Sequence, residues 1–202
     1  MSLKPFIAGF LSLGVVAVLM SGCGPKVTRV GLEEQIDLSG NWNDTDSRLV
    51  SQEMIGDMLK QRWLSVHTSR TGKEPVVTVG TLRNLSHEHI NMNTFIADIQ
   101  RAMINSGEIE FVASQDDRGE IREERRQQDV HAREDTRKAM GQEIGADFVL
   151  TGTISTIIDT EGKTAVKYYQ VDLTLTSVAD NRMVWIGQKK IRKLVERAKV
   201  RP

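Results

Sequence analysis

Three alternating apolar segments, joined by short turns, occupy the last third of the chain and constrain the fold most. Residues 148–158, 167–178 and 183–189 each have the period of two that is typical of a strand with one buried face. The turns at 160–163 and 179–182 contain glycine, aspartate or asparagine, as turns commonly do. Strands joined this closely pair in antiparallel order, so the sequence predicts a three-strand meander.

Helical spacing and capping residues predict helices before the meander. Capping residues at 44–47 precede a helix predicted over Ser47–Leu64, and a second helix is predicted from Asn93 or Thr94 to a stop at Gly107. The apolar runs 75–80 and 109–113 predict two further strands, with a polar loop over 81–93. The expected fold class is α+β, a mostly antiparallel sheet of about four to five strands flanked by about four helices.

A highly charged segment, Asp116–Glu143, lies between these regions, and 16 of its 28 residues are Asp, Glu, Lys or Arg. Because opposite charges are interspersed, the segment is interpreted as an exposed helix with many salt bridges, and a partner-binding surface is the alternative. A break is expected near 129–132, followed by a shorter helix over Asp135–Ile144.

The C-terminal residues Lys189–Pro202 are strongly basic, with seven Lys or Arg and one Glu. Ile191, Leu194, Val195 and Ala198 have helical spacing. A basic amphipathic end of this kind can contact anionic lipid or a wall polymer, and a solvated tail is the alternative.

Several functions are disfavoured by composition and spacing. The formal net charge is zero, whereas nucleic-acid binding normally requires a basic face, so no nucleic-acid partner is expected. His87 and His89 flank a glutamate but have no further ligand pattern nearby, and the acidic stretch Asn43–Asp46 is interpreted as a helix cap rather than a calcium loop. Because no motif for a nucleophile, phosphate or dinucleotide appears, we expect no catalytic residues, metal, cofactor or small-molecule substrate.

The single cysteine, Cys23, follows an N-terminal pattern typical of an export signal. Lys4 precedes an apolar run of 15 residues, Phe6–Met20, and the small residues Ser21 and Gly22 stand directly before the cysteine. A membrane-spanning helix needs roughly 20 apolar residues, so the run is short for a permanent span. The stretch Leu19–Cys23 resembles a bacterial lipobox, which implies that the thiol of Cys23 is lipidated (including palmitate) and that the signal is then cleaved just before it.

The sequence therefore divides into a signal peptide (1–22), a lipidated N-terminus with a flexible tether (23–41), a globular domain (42–190) and a basic C-terminal tail (191–202). Gly24 follows the cysteine. The lack of aspartate there favours sorting to the outer membrane, with the domain on the periplasmic face.

Three stretches, with the lipobox, carry a family resemblance. They are Asp37–Arg48 (DLSGNWNDTDSR), Ile144–Gly152 (IGADFVLTG) and Asn181–Gly187 (NRMVWIG). Their order resembles the LpoB-type lipoproteins, activators of penicillin-binding proteins. The Gly-Ala-Asp turn is also similar to that of TolB N-terminal domains and of CsgG-like secretion lipoproteins.

The resemblance implies a non-enzymatic regulator of cell-wall synthesis. Such a lipoprotein binds a bifunctional penicillin-binding protein, the peptidoglycan synthase, and stimulates it from the outer membrane. The short tether, with Pro25 as its only proline, departs from the long Pro-rich tether of the family. An envelope assembly or secretion lipoprotein without a synthase partner is the alternative function.

Overall fold

The computed structural model describes residues 28–31, 34–131 and 143–196. Two compact units divide the chain at Glu34 and Gln35. In the described part of the first unit, the Glu34 amide donates to the carbonyl of Gly31 at 3.1 Å. The predicted signal peptide and Cys23 lie outside the described residues.

Four helices occur in the described part of the second unit: α1 Asp44–Leu59, α2 Arg62–Thr71, α3 Met92–Ser106 and α4 Gln115–His131. The predicted helix at 93–107 is confirmed as α3. Asn91 caps it with a hydrogen bond from the Asn93 amide, and Gly107 ends it in the left-handed conformation. Glycine adopts that conformation without the steric cost that a Cβ would add.

The single helix predicted over 47–64 is wrong, because the structure has two helices there. The helix α1 begins at Asp44 and ends at Leu59, and α2 begins at Arg62. At the break, the indole Nε1 of Trp63 donates to the carbonyl of Met58 at 2.7 Å, and the ring packs 5.0 Å from Phe148. The chain therefore turns where a buried side chain satisfies a carbonyl at the helix end.

The sheet has five strands: β1 Val76–Leu85, β2 Glu110–Phe111, β3 Phe148–Glu161, β4 Thr164–Ser177 and β5 Met183–Glu196. The strand order is β2-β1-β3-β4-β5. The strand β1 pairs with β2 and β3 in parallel, whereas β3–β4 and β4–β5 are antiparallel. The predicted α+β class and the meander are confirmed, in a sheet that is mixed rather than fully antiparallel.

One face of the sheet and the helices α1 and α3 enclose the core. The face predicted for β4 is confirmed, since Tyr169, Val171, Leu173 and Leu175 are all buried. From the α3 side, Phe95, Ile99 and Met103 are fully buried against it. The apolar residues that alternate along β4 and those at helical spacing in α3 are therefore buried in the same core.

Two strands run further than predicted. The strand β1 continues through the predicted polar loop to Leu85, with a register shift between Val79 and Leu82. The strand β5 continues past the predicted boundary at 190, and Glu196 pairs with Thr164 of β4. The helical spacing of the basic end is thus misleading up to 196, because pairing with β4 satisfies the backbone of these residues as a strand. Residues 197–202 lie outside the described residues.

The charged segment forms α4, so the predicted helix is confirmed as far as His131. Residues 132–142 lie outside the described residues, and with them most of the predicted break and second short helix. Within the described ranges, no helix is long and apolar enough to cross a membrane.

Candidate partner-binding surface

Residues 35–43 form an N-terminal arm that packs on the domain before α1 begins. The ring of Trp42 lies 5.9 Å from that of Phe95 in α3 and 5.7 Å from that of Tyr169 in β4. Its indole Nε1 donates to Ser47 Oγ at 2.7 Å. One aromatic side chain therefore joins the arm to two core elements and to the first turn of α1. The predicted tether, which extended to Asn41, includes residues that belong to the folded domain.

The arm leads directly into a capping box. Asn43 Oδ1 accepts from the Asp46 amide at 3.0 Å, and Asp46 Oδ2 accepts from the Asn43 amide at 3.0 Å. Asn43 also donates through Nδ2 to Asp37 Oδ1 at 2.7 Å. The interpretation of these polar residues as a helix cap is confirmed, and the cap satisfies amides that α1 leaves without helical partners.

Lys193 of β5 binds the arm from the other side. Its Nζ lies 2.6 Å from Asp37 Oδ1 and 2.6 Å from Asp46 Oδ2, and it donates to the carbonyl of Asn41 at 3.1 Å. Beside it, Gly40 has φ +67°, and a Cβ there would meet the side chain of Val195. The close approach of the arm to β5 thus depends on a glycine, a lysine and two carboxylates.

A second set of polar contacts centres on Glu88, in the loop after β1. Its carboxylate accepts from Lys167 Nζ at 2.8 Å, from Tyr169 Oη at 2.8 Å and from the Trp42 amide at 3.0 Å. Lys167 also donates to the side chain of Asn41. We call the six ionisable residues that hold the arm the arm network: Asp37, Asp46, Glu88, Lys167, Tyr169 and Lys193.

Burial and hydrogen bonding shift the pKa values in the arm network in opposite ways. Burial alone would raise the pKa of Glu88, but the bonds from Lys167, Trp42 and Tyr169 hold it below its ordinary value. Burial alone would lower the pKa of Lys193, but the bonds to Asp37 and Asp46 hold it above its ordinary value. Burial and the neighbouring Glu88 raise the pKa of Tyr169. These shifts favour the charged forms of Glu88 and Lys193 and the neutral form of Tyr169, whereas burial outweighs the bonds from Lys193 and Asn43 and raises the pKa of Asp46.

A cleft of about 920 Å³ lies at the other end of β1. His67 of α2, which is buried, has its Nε2 3.7 Å from Asp147 Oδ2. The same carboxylate oxygen accepts from the Val76 amide at 2.9 Å, and the Asp147 amide donates to the Val76 carbonyl at 2.7 Å. Asp147 of the Gly-Ala-Asp turn thus aligns β1 with β3, which gives this stretch a structural role.

The helix α4 presents the charged surface that the sequence singled out. Arg122 donates to both carboxylate oxygens of Glu143, at 2.8 and 2.7 Å, and Arg126 pairs with Glu123. These side chains are exposed, and α4 makes little contact with the described part of the sheet. The surface is solvated and nearly balanced in charge.

The far side of β3–β5 is a second exposed surface, which we call the open face. Asp172 at its centre accepts a hydrogen bond from Gln170 of the same strand at 2.8 Å and one from Gln188 of β5 at 2.8 Å. Lys190 and Arg192 are exposed beside them on β5, and neither has an ion-pair partner among the described residues. Lys190 and Arg192 are therefore the described residues of the predicted basic end whose positive charge has no ion-pair partner among the described residues.

His87 and Glu88, from the stretch that the sequence disfavoured as a metal site, make structural contacts. His87 approaches Thr156 Oγ1 through both its amide, at 3.0 Å, and its ring Nδ1, at 2.9 Å, while Glu88 belongs to the arm network. Among the described residues, no group of three or more histidine, cysteine, aspartate or glutamate side chains could hold a metal ion. The role of the arm was missed, because its contacts with β4 and β5 join residues more than 120 positions apart.

A family model described as the peptidoglycan-synthase activator LpoB matches residues 46–191. This range extends from the first turn of α1 into β5. No protein in a search of curated sequences matches the chain.

Similar solved structures include the C-terminal domain of LpoB from Salmonella enterica, with 16% identity over 73% of this chain and 99% of that chain and a TM-score of 0.43. The corresponding domain from Escherichia coli has 14% identity, covers 70% and 97% of the two chains, and has a TM-score of 0.38. The lipoprotein GNA1162 from Neisseria meningitidis has 15% identity, covers 62% and 88%, and has a TM-score of 0.40. The family model covers well over half of this chain, so the chain belongs to the family of the peptidoglycan-synthase activator LpoB.

Proposed function

We propose that the protein is a lipoprotein of the outer membrane that binds a bifunctional penicillin-binding protein and activates it as a peptidoglycan synthase. Cys23 carries the lipid that anchors it, and the folded domain faces the periplasm. The match of residues 46–191 to the activator family carries this proposal. The family is one of activators rather than of catalysts, which supports a non-enzymatic role.

Activation by such a domain is a matter of differential binding. A binding partner shifts an enzyme towards its active conformation only as far as it binds that conformation more tightly than the inactive one. The activator therefore needs a stable surface. The arm network and the capping box attach the arm firmly to the core, so the domain can present its exposed faces without rearrangement.

The length of the tether limits where the partner can be bound. Because the arm begins at Gln35, only residues 24–34 separate the lipidated cysteine from the folded unit. Eleven residues span at most roughly 40 Å when fully extended. The synthase must therefore extend its own periplasmic part to within reach of this tether and the folded domain.

A glycan-polymerisation assay tests the activity. We expect the full-length protein, purified in detergent, to bind the purified bifunctional synthase of its own organism and to raise its polymerisation rate several-fold. The same protein after heat denaturation is the control. The absence of both binding and stimulation with every bifunctional synthase of the organism would overturn the proposal. Capture of secretion or assembly proteins from solubilised envelopes, without a synthase, would instead favour the assembly role.

The anchor is tested separately. Metabolic labelling with palmitate should mark the wild-type protein and not the Cys23→Ala variant, which we expect to leave the outer-membrane fraction. Labelling of the variant would show that Cys23 is not the lipidated residue.

A further inference from the structure

The strand β5 is the edge of the sheet, and its outer side has no strand partner among the described residues. It pairs with β4 over almost its whole length, from Met183 to Glu196. In antiparallel pairing every second residue directs its N–H and C=O away from the neighbouring strand. A strand of 14 residues therefore offers about seven such residues for pairing with another chain.

The two faces of β5 have different electrostatic roles. On the helix side, Lys189 Nζ lies 2.6 Å from Glu53 Oε1, and Lys193 is bound in the arm network. On the open face, Lys190 and Arg192 stand two positions apart with no ion-pair partner among the described residues. The free positive charge of this edge is thus concentrated on one face.

Exposed apolar side chains flank these two cations on the same face. Ile186 is 65% exposed and Leu194 is 64% exposed. The order of side chains along the open face of β5 is therefore apolar, polar, basic, basic, apolar, formed by Ile186, Gln188, Lys190, Arg192 and Leu194.

A second copy of the chain is a poor occupant of this edge. Antiparallel pairing of two β5 strands around Ile191 would place Lys190 of each copy opposite Arg192 of the other, and Lys189 opposite Lys193. Like charges directly opposite each other destabilise strand pairs. Lysine on an edge strand is a common protection against pairing of identical copies.

We propose that β5 binds an extended acidic segment of a partner protein, which adds to the sheet as a sixth strand. Main-chain hydrogen bonds hold the segment, its acidic side chains pair with Lys190 and Arg192, and apolar side chains cover Ile186 and Leu194. Strand addition of this kind takes affinity from the backbone and specificity from alternate side chains. A segment of this chemistry fits β5 whether it belongs to a synthase or to another protein.

A synthetic peptide tests the proposal directly. The probe is a fluorescein-labelled nine-residue peptide with valine, three glutamates and valine at alternate positions and threonine between them. Its palindromic order fits β5 in either direction. We expect the full-length protein in detergent to bind it by fluorescence anisotropy, with affinity that falls as salt is added.

Two peptide controls separate strand addition from simple charge attraction. Methylation of alternate backbone amides removes the donors that strand pairing needs but keeps the charges, so it should abolish binding. Equal binding of the methylated peptide would overturn the proposal. A peptide with lysine in place of glutamate should not bind.

Charge reversal of the protein completes the test. The Lys190→Glu/Arg192→Glu variant should bind the acidic peptide about tenfold more weakly and should gain affinity for the lysine peptide, which also shows that the variant is folded. Arg70→Glu/Lys73→Glu, at exposed positions near the end of α2, is the matched control and should bind as the wild type does. Unchanged affinity after reversal at 190 and 192 would overturn the proposal. Failure of the peptide to bind would not change the result expected in the polymerisation assay, so the two proposals can fail separately.

Discussion

The arm network and α4 are both rich in opposite charges, yet they differ in burial. Lys193 and Asp46 have side chains only 10% exposed, whereas Arg126 and Glu123 in α4 are 67% and 53% exposed. Apart from Asp37, whose side chain is 55% exposed, the charged groups of the arm network have given up most of their water and depend on each other, while Arg126 and Glu123 keep their hydration. An ion pair therefore matters to stability here only where tertiary packing has removed the solvent.

The arm network and α4 also differ in how far apart the two residues of an ion pair lie in the chain. The pair Arg126–Glu123 is local, three residues apart on one helix. The pairs of the arm network connect the arm and the loop after β1 to β4 and β5. We therefore expect loss of a contact in the arm network to loosen the arm, whereas loss of the Arg126–Glu123 pair changes only a local side-chain contact.

The largest effect is expected from removing the aromatic contact of the arm. Trp42→Ala should lower the free energy of unfolding by about 3 kcal/mol, since it removes a large side chain that packs on Phe95 and Tyr169. Urea denaturation followed by circular dichroism measures it. Ile121→Ala on α4 is the matched control and should leave the midpoint unchanged. Equal midpoints for wild type and Trp42→Ala would show that the arm does not stabilise the domain.

The next largest effect is expected at the lysine that holds the arm. Lys193→Met should cost about 2 kcal/mol, because Asp46 stays buried without its cation. Lys190→Met, on the opposite face of the same strand, is the control and should be neutral. Removing Asp46 as well, in a double-mutant cycle, should recover part of the loss; full additivity would argue against coupling.

The pH dependence of stability should report Glu88. Its pKa is lower in the folded protein than the ordinary value of 4.5. The unfolded state therefore binds the proton more tightly, so the stabilisation is complete above about pH 5 and is lost as the pH falls through the folded pKa. Glu88→Gln should cost about 1–2 kcal/mol at pH 7, and the difference from wild type should shrink in acid. A constant difference from pH 7 to pH 3 would contradict this assignment.

The smallest effect is expected on α4. Arg122→Ala removes a bidentate pair with Glu143, but both groups are hydrated, so the thermal midpoint should not change. A clear fall in the midpoint would show that α4 is held by its ion pairs and would remove the contrast with the arm network.

The meander and α3 were predictable because their signals are local. Alternation identified the buried face of β4 from Tyr169 to Leu175, and Asn91 and Gly107 stand close to the predicted ends of α3. The break at Lys60 was not predictable, since it depends on Trp63 reaching both Met58 and the distant Phe148. For the same reason the end of β5 was misjudged, because its partner strand β4 is what makes residues 191–196 a strand.

Only part of the candidate partner-binding surface could be predicted from the sequence. The charge of the basic end was visible, but not that Lys189 and Lys193 are satisfied on one face while Lys190 and Arg192 remain free on the other. The two pairs of residues can be told apart only when residues 183–196 are known to form a strand and α1 is known to pack on one face of it. The stretch Asp37–Arg48 was recognised by resemblance, and its physical role became clear only from its contacts.

Periodicity, turn residues and cleavage signals act over a few neighbouring residues, so they were enough to predict the α+β class, the buried face of the meander and a lipidated Cys23. Tertiary structure alone decided which charges are buried pairs and which are free. Arg122 and Lys193 carry the same charge in sequence, but only Lys193 lies where the arm and β5 exclude water from it. Which charged groups are buried together depends on residues that are far apart in the chain. A local sequence pattern does not show which distant residues will meet.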